Sequence, residues 1–97
     1  MRREDFVFCI GYEGNAAIID GRLRARYSGC STRELAEAGL YKQALCSAYW
    51  SKTPGEVEEV LRVYNSRTEH PVSSAAELSR IYGISGVPEG AAKIKVI

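Results

Sequence analysis

One histidine, His70, is all the imidazole the chain has, and that scarcity excludes several chemistries at once. A structural zinc site takes four cysteine or histidine ligands and a catalytic one takes three, held at short, paired spacings. The cysteines are Cys9, Cys30 and Cys46, too scattered for such pairs or for a C-x-x-C redox motif, so no metal and no cofactor is expected. An odd number of widely spaced thiols reads as reduced cysteine. Net charge is missing too. With 13 Lys and Arg against 12 Asp and Glu the balance is +1, which gives no general field to gather polyanions, acidic substrates or anionic lipid. Apolar runs such as Phe6 to Ile10 and Ala16 to Ile19 fall far short of the roughly 20 residues that cross a bilayer, so no membrane partner is expected. The start Met1-Arg2-Arg3 runs straight into Glu4 and Asp5 rather than into the apolar centre of a secretory signal, and the expected location is therefore cytoplasmic.

What is present is an ordinary globular composition. At 97 residues, 45% hydrophobic and 26% charged, the chain has material for one core, and a single domain over residues 1–97 is expected. Phe6-Val7-Phe8-Cys9-Ile10 is an aromatic and β-branched run that predicts a strand, followed by a turn over Gly11-Tyr12-Glu13-Gly14-Asn15. Ala16-Ala17-Ile18-Ile19 predicts a second strand returning on the first, and both read as central. Asp20-Gly21 then suits a two-residue hairpin turn. The residues after it alternate, with Leu23, Ala25 and Tyr27 toward the core and Arg22, Arg24 and Arg26 toward water. The rival reading makes Asp20 the N-cap of a short helix, with Leu23 and Tyr27 one turn apart. The strand is the preferred reading.

From Ser31 onward the signals are helical. Ser31-Thr32-Arg33-Glu34 is a capping box, with Cys30 placed to pack on Leu35. Gly39 interrupts, and Leu40, Tyr41, Ala44, Leu45, Ala48 and Tyr49 then form one apolar stripe. Thr53-Pro54-Gly55-Glu56 predicts a helix with Pro54 at its first position, Val57, Val60, Leu61 and Tyr64 inward, and a Glu58 to Arg62 pair outward. Ser74-Ala75-Ala76-Glu77 opens a last helix with Leu78, Ile81 and Tyr82 inward and Gly83 as its stop. Pro88-Glu89-Gly90 predicts a turn, and Lys93 to Ile97 an edge strand. The expected fold class is α+β: a small sheet of three to four strands, an N-terminal hairpin or meander plus a C-terminal edge strand, packed against three or four helices. Phe6, Phe8, Ile18, Leu35, Leu45, Val57, Leu61, Leu78 and Ile81 are the predicted core.

No residue set assembles into a catalytic motif, so an enzyme is disfavoured. A thiol and imidazole pair has only His70 to draw on, with Cys30 the best-placed thiol at a helix start. Glu34, Glu56, Glu58, Glu59 and Glu77 sit in helix first turns, where the macrodipole already accounts for them. Gly11 and Gly14 follow a strand but lack the third glycine and the Lys-Ser/Thr of a phosphate loop. Two surfaces invite a partner. Tyr49 and Trp50, at a helix end, suit a protein contact, because Tyr and Trp present large amphipathic rings. Arg22, Arg24 and Arg26, if on one strand face, suit phosphate or nucleic acid. The leading expectation is a non-catalytic interaction domain acting on a protein partner or on itself, through Tyr49 and Trp50 or an open sheet edge. Binding of nucleic acid or another polyanion through the arginine row is the alternative, and a small cysteine-dependent enzyme comes third.

Overall fold

Capping side chains decide where the helices begin. In the computed structural model, which describes residues 2–14, 16–84 and 93–97, the element order is α1 (Arg3–Val7), β1 (Cys9–Glu13), β2 (Ala16–Ile19), α2 (Gly21–Tyr27), α3 (Thr32–Glu37), α4 (Tyr41–Ser51), α5 (Glu56–Arg67), α6 (Ala75–Tyr82) and β3 (Lys93–Val96). Ser31 Oγ accepts the Glu34 N–H at 3.1 Å and the Glu34 carboxylate accepts the Ser31 N–H at 3.0 Å, the reciprocal cap expected at the start of α3. Gly39, at φ +83°, ends that helix: the Leu40 N–H returns to the Leu35 carbonyl and the Gly39 N–H to that of Ala36. Gly83 closes α6 in the same way, with the Ile84 N–H on the Ser79 carbonyl at 2.9 Å.

The fold is a small α+β domain with a mixed three-stranded sheet in the order β1-β2-β3. β1 and β2 pair antiparallel with a bulge between Cys9 and Gly11, and β2 and β3 pair parallel, Ala17 opposite Ile94 and Ile19 opposite Val96. α4 lies at the centre: Ala44, Leu45, Cys46, Ser47 and Ala48 are all buried, against α1, α3, α5 and α6. Phe6, Phe8, Leu35, Leu45 and Leu78 join the core as expected.

Several expectations are corrected. The helices number six among the described residues rather than three or four. Phe6 and Val7 belong to helix α1, not to a strand, because Asp5 accepts the Arg2 N–H at 3.1 Å and a short apolar run buried all round carries no period to choose between the two. The strand starts at Cys9, so Gly11, Tyr12 and Glu13 are paired residues, and Gly14 is the turn residue among those described. β2 is central and β1 is at an edge. Residues 21–27 are helix, capped by Asp20 Oδ1, which accepts the N–H groups of Arg22 and Leu23 at 3.1 Å each. β3 occupies the flank of β2 that a third meander strand would have used. α5 starts after Gly55, not at Pro54, and Arg62 pairs with Glu59 rather than Glu58.

Ile18, Val57 and Leu61 are half-buried, and Ile81 is 59% exposed. The Ser79 hydroxyl is drawn inward by the Tyr49 hydroxyl, which centres the buried face of α6 on Leu78, Ser79 and Tyr82 and leaves Ile81 about 100° away. The turn expected at Pro88-Glu89-Gly90 lies outside the described residues.

Leu45→Ala should cost about 2–5 kcal/mol in urea unfolding and Ile81→Ala no more than about 0.5 kcal/mol; equal losses would contradict the burial pattern. Gly21 tests the seam between α2 and β3. A Cβ there would stand 2.6 Å from the Ile97 carbonyl oxygen and 2.9 Å from Val96 Cγ1. Gly21→Ala should therefore destabilise by about 1–3 kcal/mol despite alanine's better helix propensity, with amide exchange accelerated first in β3.

Candidate functional site

The three arginines of the expected ridge part company on α2. Arg24 lies about 200° round the helix from Arg22, and its guanidinium pairs with the buried Asp5 carboxylate at 3.1 Å. Arg26 stacks over the Tyr27 ring at 5.4 Å. Arg22 is exposed. The strand face that would have aligned them for phosphates is thus replaced by a helix that turns one of them inward. Tyr49 and Trp50 are likewise drawn into the fold. Trp50 is half-buried with its ring 5.8 Å from that of Phe6, and the Tyr49 hydroxyl meets Ser79. Tyr49 still borders a shallow groove of about 290 Å³ with Lys52, Pro54 and Val57, a groove that Trp50 does not line.

Two other features stand out. One is a half-open cleft of about 340 Å³ where β1, α4 and the end of α6 meet. The bulge in β1 sets Ile10 and Tyr12 on its rim, 47% and 51% exposed, and Cys9 beside them gives its thiol hydrogen to the Gly11 carbonyl at 3.2 Å. Lys42 and Cys46, one helical turn apart on α4, form the opposite wall, and Tyr82, Gly83 and Ile84 close the end. Burial pushes the Cys46 thiol from 9.0 up to about 11 against the pull of Lys42. Burial, then the neighbouring Cys9, pushes the Tyr12 phenol up to about 12. Tyr82 is raised as well, first by burial and then by Tyr64 and Tyr41. These groups stay protonated at neutral pH. Among the described residues Lys42 is the one Lys, Arg, Asp or Glu on the wall, and it makes no ion pair there.

The other feature is the sheet face at β3. Ile94 and Val96 stand in register with Ala17 and Ile19, which are fully buried, yet they are 43% and 46% exposed, and Ile97 beyond them is 65% exposed. The core face of the sheet thus continues onto β3, where Val96 borders the start of α2 and both Ile94 and Val96 remain nearly half exposed.

No family model, curated protein or solved structure matches the chain. Function has to be argued from these surfaces. No three metal-ligating side chains come together, and no helix is long and apolar enough to cross a membrane, among the described residues. Cys30 is half-buried ahead of the α3 cap and His70 is exposed after α5, with no hydrogen bond between them. No spacing in the sequence brings Cys9 and Cys46 to one cleft with Lys42. That meeting depends on α1 packing against α4.

The raised Cys46 thiol sets an alkaline limit on stability. Between 9.0 and about 11 the unfolded chain releases a proton that the folded chain keeps, so stability falls as pH rises through that window. The urea midpoint should decline over this range, and Cys46→Ala should flatten the decline; an unchanged slope would contradict the burial of the thiol.

Proposed function

We propose that this protein is a non-catalytic interaction domain whose contact surface is the half-exposed sheet face at β3 and the edge of that strand left unpaired among the described residues. The observation that carries this reading is the register of Ile94 and Val96 with the buried Ala17 and Ile19: side chains placed on the core side of a sheet, left half in water. Adjacent exposed apolar residues on an edge strand favour association with another chain over a solvated end state. A second copy of the same chain is the simplest partner. Tyr49 and Trp50 take a lesser part in this reading, because their rings are already engaged with Ser79 and Phe6. Nucleic-acid binding through Arg22, Arg24 and Arg26 ranks lower, since Arg24 is committed to Asp5.

Sedimentation equilibrium tests the reading. The parent is expected to be dimeric at about 100 μM, and Ile94→Glu to weaken the dimer by at least about tenfold while circular dichroism stays unchanged. Trp50→Ala is expected to leave the mass as it was. A monomeric parent would remove self-association, and a mass lowered by Trp50→Ala but not by Ile94→Glu would move the interface to the end of α4.

A further inference from the structure

A second site is carried by the cleft between β1, α4 and the end of α6, and it stands independently of the β3 surface. We propose that this cleft binds a small organic monoanion, a single carboxylate on an apolar, aromatic-sized body. Three observations converge on that chemistry. The volume, about 340 Å³, falls within the range of small-ligand sites. The walls are rings and aliphatic side chains: Phe6 and Tyr82 inside, Ile10 and Tyr12 on the rim and about half exposed, so an apolar body seated there removes hydrophobic surface from water on both sides. The third is Lys42, half-buried on the α4 wall without an ionic partner among the described residues. Lys42 and Cys46, one turn apart on α4, both line the cleft, which puts the lysine side chain on its wall.

The same inventory discriminates between ligand classes. A cationic ligand would meet a wall that bears Lys42 and, among the described residues, no carboxylate. A phosphate dianion calls for a guanidinium fork or several converging donors, and one lysine leaves it half-compensated. A neutral apolar molecule would fill the walls while leaving the ammonium to be desolvated without a partner, which costs free energy. A monocarboxylate satisfies the lysine by a charge-assisted hydrogen bond, and the protonated phenols of Tyr12 and Tyr82 add donors. Protonated thiols are poor nucleophiles, so Cys46 contributes polarizable surface and the ligand leaves unchanged.

The test compares 4-phenylbutanoate, its neutral counterpart 4-phenylbutan-1-ol, and inorganic phosphate, by titration calorimetry on the full chain. Amide shifts of Gly11 on β1 and of Gly83 at the end of α6, both lining the cleft, report where each probe binds. The carboxylate is expected to bind and to move both glycine amides, the alcohol to bind at least about tenfold more weakly, and phosphate not to register. Lys42→Met should reduce carboxylate affinity to the level of the alcohol, Ile10→Asp should weaken it by like-charge repulsion, and Lys52→Met, outside the cleft, should change nothing. Equal affinities for acid and alcohol would overturn the proposal without any variant. Unaltered carboxylate binding by Lys42→Met, glycine amides that stay still, or no binding at about 10 mM carboxylate, a concentration that would saturate any site of millimolar affinity, would each overturn it as well.

Discussion

Five consecutive buried residues on α4 set the terms for everything around them. An amphipathic helix needs one neighbour for its apolar stripe, whereas a helix buried from Ala44 to Ala48 needs neighbours all round. α1, α3, α5 and α6 supply them. The alanines at 44 and 48 allow close approach, but Ser47 brings a hydroxyl into the same interior, only 2% exposed. An unpaired hydroxyl there would be costly. Thr32 meets it at 2.7 Å and the Arg3 guanidinium donates to it at 2.8 Å, and Arg3 also reaches the Cys30 carbonyl at 2.6 Å. One buried oxygen therefore ties α1, the start of α3 and α4 together. The cleft depends on that tie, because Cys9 follows α1 directly and Cys46 immediately precedes Ser47.

The near-neutral charge has a structural counterpart. Arg24 answers Asp5, Arg3 answers Glu4 and Ser47, Arg33 pairs with Glu37 and Glu59, and the Arg67 guanidinium donates to the Glu37 carbonyl at the end of α3. Arg3, Arg24, Arg33 and Arg67 thus join elements, so the stretch 22–26 loses Arg24 to Asp5 while Arg22 and Arg26 stay exposed one helical turn apart. Lys42 joins no ion pair among the described residues and lines the cleft instead.

How much was legible follows from the range of each signal. Caps and glycine stops act within four or five residues, so α3, the end of α6 and the break at Gly39 were readable from the chain alone. Residues 21–27 were not, since their pattern satisfies both a two-residue and a helical period. The choice depended on the Asp20 cap and on β3 arriving beside β2 from the far end of the chain. Ile81 failed for a related reason: its hydrophobicity was local information, while the rotation of α6 is set by a hydroxyl contact across to Tyr49. The cleft was the least legible feature. Cys9, Lys42, Cys46 and Tyr82 share no spacing rule, and only tertiary packing makes them neighbours.

The parallel pairing of β2 with β3 also bears on how the molecule forms. The hairpin of β1 and β2 and the packing of α3 on α4 join segments close in sequence, whereas residues 16–19 meet residues 93–96 only after nearly the whole chain has been closed into a loop. The Gly21 N–H then bonds the Ile97 carbonyl at 3.0 Å and seals the start of α2 to that strand. Loop closure over such a distance is entropically unfavourable and slow to repay, which favours an order in which the hairpin and helices consolidate before β3 pairs. In a φ-value series that order would appear as values near zero at Ile94 and Val96 beside higher values in α3 and α4. In that order the flank of β2 lies open until β3 arrives to cover it.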